Sequence, residues 1–245
     1  MKDERTIVTA LGLALVLCVA MTAGALATGI DTSSATLPPD GWYVSGGGVS
    51  VSYADPALEI ILYNIGLQPL VATAVRTPIG NDEMETFDSN LGATVRVDPD
   101  GSGSSPLGDP LPLWSPPMTG PIQTITTDRM LSTTGSFDTE IVSMSLSGNI
   151  GGTPIIIRES PTEASSGVTD ITDLGGGLYH IDSFFDVFTE LSVDGGDSWI
   201  AADTSVRITL QQSAPLTIPE PASAILALLG VGGLALLRTT RQSTF

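Results

Sequence analysis

Tyr179-His180-Ile181-Asp182-Ser183-Phe184-Phe185-Asp186-Val187-Phe188-Thr189-Glu190-Leu191-Ser192-Val193 alternates over its whole length. Tyr179, Ile181, Phe185, Val187, Leu191 and Val193 share one face with Ser183 and Thr189. His180, Asp182, Phe184, Asp186, Phe188, Glu190 and Ser192 share the other. A period of two belongs to a strand with one buried face, because successive side chains leave opposite sides of the pleat. A helix would scatter these apolar residues around its circumference.

The same pattern recurs on both sides. Val142, Met144 and Leu146 alternate with Ser143, Ser145 and Ser147 within Thr139–Ser147, and Val206, Ile208 and Leu210 alternate with Arg207 and Thr209. Further short runs at Val49–Tyr53, Leu58–Tyr63, Leu70–Val75, Ala93–Val97, Ile122–Thr127 and Ile155–Arg158 are rich in β-branched and aromatic residues. Gly, Pro, Ser and Thr separate them. No stretch of the body has a helical period, and no repeat of fixed length marks a propeller or solenoid. About ten short strands with turn signals between them predict an all-β fold of the β-sandwich class. Asp98–Pro121 interrupts the pattern with seven prolines and four glycines in 24 residues, and reads as a long loop within one sandwich, the alternative being a boundary between a small N-terminal and a larger C-terminal part.

Composition narrows the chemistry. The chain has 245 residues with one histidine, one cysteine and a formal net charge of -18. Residues 28–217 hold five arginines, no lysine and 24 acidic residues, a balance of -19. Such a body repels the phosphate backbone, so nucleic acid is excluded as a partner. Cys18 alone can form neither an internal disulfide nor a cysteine metal cluster, and one imidazole cannot build a His-rich zinc site.

The two ends read as addresses. Lys2 and Arg5 precede an uncharged stretch, Ile7–Met21, and Ala25-Leu26-Ala27 has small residues at the two positions that a signal peptidase reads. These features predict a signal helix over residues 1–27, cleaved after Ala27 or, alternatively, after Ala25. At the other end, Ile218-Pro219-Glu220-Pro221 leads into the uncharged run Ala222–Leu237, followed by Arg238 and Arg241. Its 16 residues would span about 24 Å as a helix, slightly short for a permanent membrane span. A C-terminal transmembrane helix is the expectation, with the arginines on the cytoplasmic side and the body outside. The organisation is therefore a signal peptide (1–27), a body (28–217) and an anchor segment (218–245).

This tail resembles the PEP-CTERM sorting signal. The resemblance implies that Pro219, Glu220 and Pro221 are the recognition element and that Arg238 and Arg241 form the basic stop. It also implies processing by an exosortase-type membrane sorting enzyme in bacteria that make extracellular polysaccharide. The basic cluster is sparser than in the family, and a polar stretch, Gln242–Phe245, follows it. Within the body, Arg158-Glu159-Ser160-Pro161, Gly175–His180 and Ser183–Leu191 are similar to segments of uncharacterised surface proteins that carry this tail. That likeness implies a shared fold and no known activity.

Motifs of the body weigh towards structure. Asp98, Asp100, Ser102 and Asp109 stand at positions 1, 3, 5 and 12 of a calcium-loop pattern with glycine at 6. Asp109 is shorter than the usual bidentate glutamate, so a plain Asp-Gly turn accounts for the same residues, and calcium is the one cofactor candidate. Ser192-Val193-Asp194-Gly195-Gly196-Asp197-Ser198-Trp199 resembles the Asp-box of sialidase propellers. There an aspartate ties a tight hairpin away from the catalytic centre, so Asp194, Gly196 and Trp199 are read as a structural hairpin. Asp182 and Asp186 lie about 13 Å apart along a strand, too far for the carboxylate pair of a glycoside hydrolase. No nucleophile elbow accompanies His180, and no P-loop or dinucleotide fingerprint occurs.

The expected function is an exported structural or adhesive protein of the cell surface or extracellular matrix, with no catalytic activity evident. Its expected partners are signal peptidase, the sorting enzyme, the membrane through both termini before processing, and extracellular polysaccharide. The alternative is an extracellular carbohydrate-binding or glycoside-active protein, for which Trp42, Tyr43 or Trp114 would stack on sugar rings.

Overall fold

The computed structural model describes residues 28–55, 58–98, 111–112, 117–150 and 152–212. The strands are β1 (Ile30–Thr32), β2 (Trp42–Ser45), β3 (Ser50–Asp55), β4 (Leu58–Pro69), β5 (Val75–Ile79), β6 (Asp82–Asp98), β7 (Leu111–Pro112) and β8 (Met118–Thr126). They continue as β9 (Gly135–Ile150), β10 (Thr153–Glu159), β11 (Ser165–Gly175), β12 (Leu178–Val187), β13 (Thr189–Ser192), β14 (Ile200–Ala201) and β15 (Val206–Gln211).

All fifteen belong to one sheet, and the pairs named in its topology are antiparallel. The order β12-β15-β2-β4-β6-β8-β9-β11 returns to β12 because β11 pairs with both β9 and β12. Eight strands therefore close into a barrel, which overturns the sandwich expectation. Closure removes the free edges that two stacked sheets would leave.

The physical reason lies in two bulges. The β4–β6 register shifts between Tyr63 and Gly66, with Asn64 at a φ of 49°, and the β8–β9 register shifts at Gln123/Thr124. An extra residue bends its strand and reverses which side chains point inward. In β9 the buried set is Phe137, Thr139 and Ile141 before the shift, then Met144 and Leu146 after it. Val142, expected on the buried face, is the extra residue and is half-exposed. The bends let long strands change neighbours along their length. β9 pairs β11 through Gly135–Ile141 and β10 through Ser145–Ile150, while β4 pairs β3 and then β2.

The expected flanking helices fall on residues 1–27 and 218–245, outside the described residues. Among the described residues the helical structure is one 3-10 turn, Val71–Thr73, in the place of the strand expected at Leu70–Val75. No helix there is long and apolar enough to cross a membrane. The loop expected at Asp98–Pro121 is shorter than its composition suggests. β7 pairs β6, and β8 begins at Met118, so Gly120 and Pro121 lie inside a strand opposite Ser89 and Asp88.

The interior has two characters. Leu62, Leu146, Ile181, Leu191 and Leu210 are fully buried in the apolar core. Towards the end where β6 begins and β8 ends, the lining turns polar with Glu85, Thr124, Thr126, Thr139 and Thr169. Segment 33–41 crosses that mouth and buries Leu37-Pro38-Pro39 as a plug. Arg76 Nε donates to the carbonyl of Leu37, and Arg129 Nη2 donates to that of Ala35 at 2.5 Å.

Candidate functional site

Beneath the plug, Glu85 on β6 is 1% exposed. The hydroxyl of Thr124 donates to its Oε2 at 2.6 Å, and that of Thr126 to its Oε1 at 3.4 Å. Burial pushes the carboxyl up to about 7 despite these hydrogen bonds, and the charge of Glu83 adds to the shift. Across the lumen, Tyr43 donates to Ser183 Oγ at 3.3 Å, and Ser183 and Thr169 share a hydrogen bond of 2.8 Å. Desolvation raises the Tyr43 phenol well above its ordinary value. Thr139 Oγ1 is buried here without a hydrogen-bond partner among the described residues. The enclosed space is about 30 Å³, enough for about two waters and too small for a sugar or metabolite.

The outer wall carries a larger depression of about 400 Å³, lined by Asp138, Glu140, Ser166, Phe184, Asp186 and Arg207. Its floor is tight. A Cβ on Gly167 would lie 2.0 Å from the Phe184 carbonyl oxygen, so glycine is required where β11 approaches β12. Arg207 grips Asp186 in a bidentate pair at 2.9 and 2.6 Å and lies 4.2 Å from the centre of the Phe184 ring. These hydrogen bonds hold the Asp186 carboxyl below its ordinary range. The aromatic face and the carboxylate that a sugar would need are both occupied by one guanidinium.

Other candidate residues are dispersed. His180 Nδ1 lies 2.7 Å from Asp31 Oδ1 across β1 and β12, with no serine nucleophile beside it. Asp182 faces Asp170 of β11, and Glu190 is gripped by Arg158 at 2.9 and 2.5 Å. Tyr43 is a core residue, which counts against its use as a sugar platform, and Trp42 is half-buried. Trp114 lies outside the described residues. Of the calcium candidates, Asp98 ends β6 opposite Glu59, whereas Asp100, Ser102 and Asp109 lie outside the described residues. Among the described residues no group of three or more His, Cys, Asp or Glu side chains could hold a metal ion. Ala25, Ala27, Pro219, Glu220, Pro221, Arg238 and Arg241 likewise lie outside them.

The Asp194 turn is tightly knit. Asp194 Oδ1 accepts the backbone N–H of Asp197 and of Ser198, both at 3.0 Å, and the hydroxyl of Ser192 at 2.7 Å. Gly196 has a φ of 101°, a conformation that favours glycine. Trp199 lies under the guanidinium of Arg158 on β10. This turn therefore packs against the outside of the barrel through Trp199 and Arg158.

Sequence reasoning missed Glu85 and the plug. The one available signal was Glu85-x-Phe87-x-Ser89-x-Leu91, an alternation in which two of the four members are polar. Comparison of the chain with protein-family models, curated proteins and solved structures gives no match.

Proposed function

We propose that the chain is exported and sorted through its tail to the cell surface or extracellular matrix, where the barrel serves as a structural or adhesive body. The observation that carries this reading is the order Pro219-Glu220-Pro221, uncharged Ala222–Leu237, then Arg238 and Arg241, in a chain that also begins with an apolar stretch ending in Ala25-Leu26-Ala27. The build of the body supports the non-enzymatic part. Two cavities of the barrel interior measure about 30 Å³ each, and the carboxylates of Asp186 and Glu190 are occupied by arginines.

The intact mass of the protein isolated from the surface fraction of its native cells tests the reading. Loss of Met1–Ala27 and of residues beyond about Pro221 is the expected result. Retention of Ala222–Phe245 in the surface fraction rejects sorting by an exosortase-type enzyme.

A further inference from the structure

Seven large hydrophobic side chains are exposed among the described residues, and six of them sit at one end of the barrel. Val75 and Ile79 lie on β5, Met130 and Leu131 in the β8–β9 connection, and Leu174 and Leu178 beside the Gly175–Gly177 turn; their exposures run from 46% to 66%. The seventh, Val49, lies in the β2–β3 turn, away from this rim.

The three rim elements adjoin one another. The N–H of Met130 donates to the carbonyl of Asn81 at 2.8 Å, and that of Asp128 to Asp82 Oδ1 at 2.9 Å, which ties the β8–β9 connection to the β5–β6 turn. On the other side, Gly135 at the start of β9 faces Ile171 of β11, three residues before Leu174. Six exposed apolar side chains gathered at one end of the barrel mark a contact site.

The direction of the chain identifies what this rim meets. β15 runs towards the plugged end, since Val206 faces Val187 and Gln211 faces Trp42, the residue after the plug segment. Nine residues, 213–221, separate Gln212 from the uncharged run Ala222–Leu237. Fully extended they reach about 30 Å. A tail embedded in lipid would therefore keep this end of the barrel within about 30 Å of the headgroups. Asp82, Asp128 and Asp173 stand among the apolar tips, whereas the arginines of these elements, Arg76 and Arg129, donate to the plug carbonyls of Leu37 and Ala35. That charge disfavours anionic lipid and a second copy of the same acidic body, and leaves a zwitterionic surface as the compatible partner.

We infer that this rim is a lipid-contact surface, by which the barrel rests its plugged end on the outer face of the membrane while its tail is inserted. The inference rests on the export reading above and adds an orientation to it.

The test uses residues 28–245, the form that signal cleavage leaves, carrying an environment-sensitive dye on Leu131→Cys or on Val49→Cys and reconstituted with phosphatidylcholine vesicles. Flotation reports the tail, and iodide quenching of the dye reports the rim. The expected result is co-flotation with quenching about fivefold weaker at position 131 than at position 49. Adding Ile79→Asp and Leu174→Asp should restore quenching at 131 without changing flotation. Co-flotation with equal quenching at both positions overturns the rim contact and leaves the tail reading standing. Failure to float overturns both. Protection at 131 without vesicles, together with a doubled mass, assigns the rim to a second copy and overturns the lipid contact.

Discussion

The guanidinium of Arg158 lies 3.8 Å from the centre of the Trp199 ring while it also binds Glu190. Arg158 and Glu190 are paired residues of β10 and β13, and Trp199 arrives from the Asp194 turn. One side chain thus pins a turn to the barrel wall. Arg207 repeats the arrangement with Phe184 and Asp186. Arg96 and Arg129 lie over Tyr63 and Phe137, so four of the five arginines of the body cover aromatic rings.

Lysine cannot reproduce a flat cation that stacks and forks at once. Arg158→Lys should lower stability by about 1–2 kcal/mol, the pair being only partly buried. Thermal unfolding measures the loss, and a red shift of tryptophan emission would report the uncovering of Trp199. An unchanged melting temperature would count against a stabilising stack.

Asp194 is held well below the ordinary carboxylate range, first by the hydroxyl of Ser198 and then by that residue's backbone N–H. A depressed pKa stabilises the turn above the unfolded value near 3.8, and the contribution fades as pH falls below it through the folded value. Asp194→Ala should speed hydrogen exchange at the amides of Asp197 and Ser198 at neutral pH and leave the barrel amides protected. Exchange in the unsubstituted chain should remain constant from pH 7 to about 5, after correction for the intrinsic rate.

Glu85 works in the opposite direction. Its folded pKa of about 7 lies above the unfolded value of 4.5, so the neutral acid is the form that suits the lumen. Stability from this group is complete below pH 4.5, falls as the pH rises, and is fully lost above about 7. The span corresponds to about 3 kcal/mol. Glu85→Gln keeps the shape without the charge. Denaturant midpoints for this variant should be flatter between pH 4.5 and 7 and higher than those of the parent at pH 8. Parallel pH curves for the two proteins would contradict the assignment.

Gly167 offers a test of closure itself. Any side chain there meets the Phe184 carbonyl oxygen, so the β11–β12 seam must open. Gly167→Val should cost on the order of 3 kcal/mol or more. Gly47→Val, in a turn where a Cβ meets nothing within 4 Å, serves as the matched control. Circular dichroism melts of the two variants should differ widely.

Alternation determined the all-β class and the inward face of β12, because period two needs only one residue and its neighbours to be read. Ile181, Ser183, Phe185 and Val187 are buried as that reading requires. Two of the stretches it missed have polar inward residues. β11 buries Ser165, Gly167, Thr169 and Ile171, and the first half of β6 buries Glu85 and Ser89, so neither shows a hydrophobic stripe. Their burial depends on hydroxyl and carboxyl partners contributed by other strands, Thr124 on β8 and Ser183 on β12. The charge is likewise a local property and is read directly. The choice between sandwich and barrel was not, because it turns on the bulges at Asn64 and Val142 and on β11 joining β9 to β12 across the sheet. The bulge at Val142 changes the register by one residue without any distinctive residue type, and closure is a property of pairings distant in sequence. Only the tertiary structure decides those.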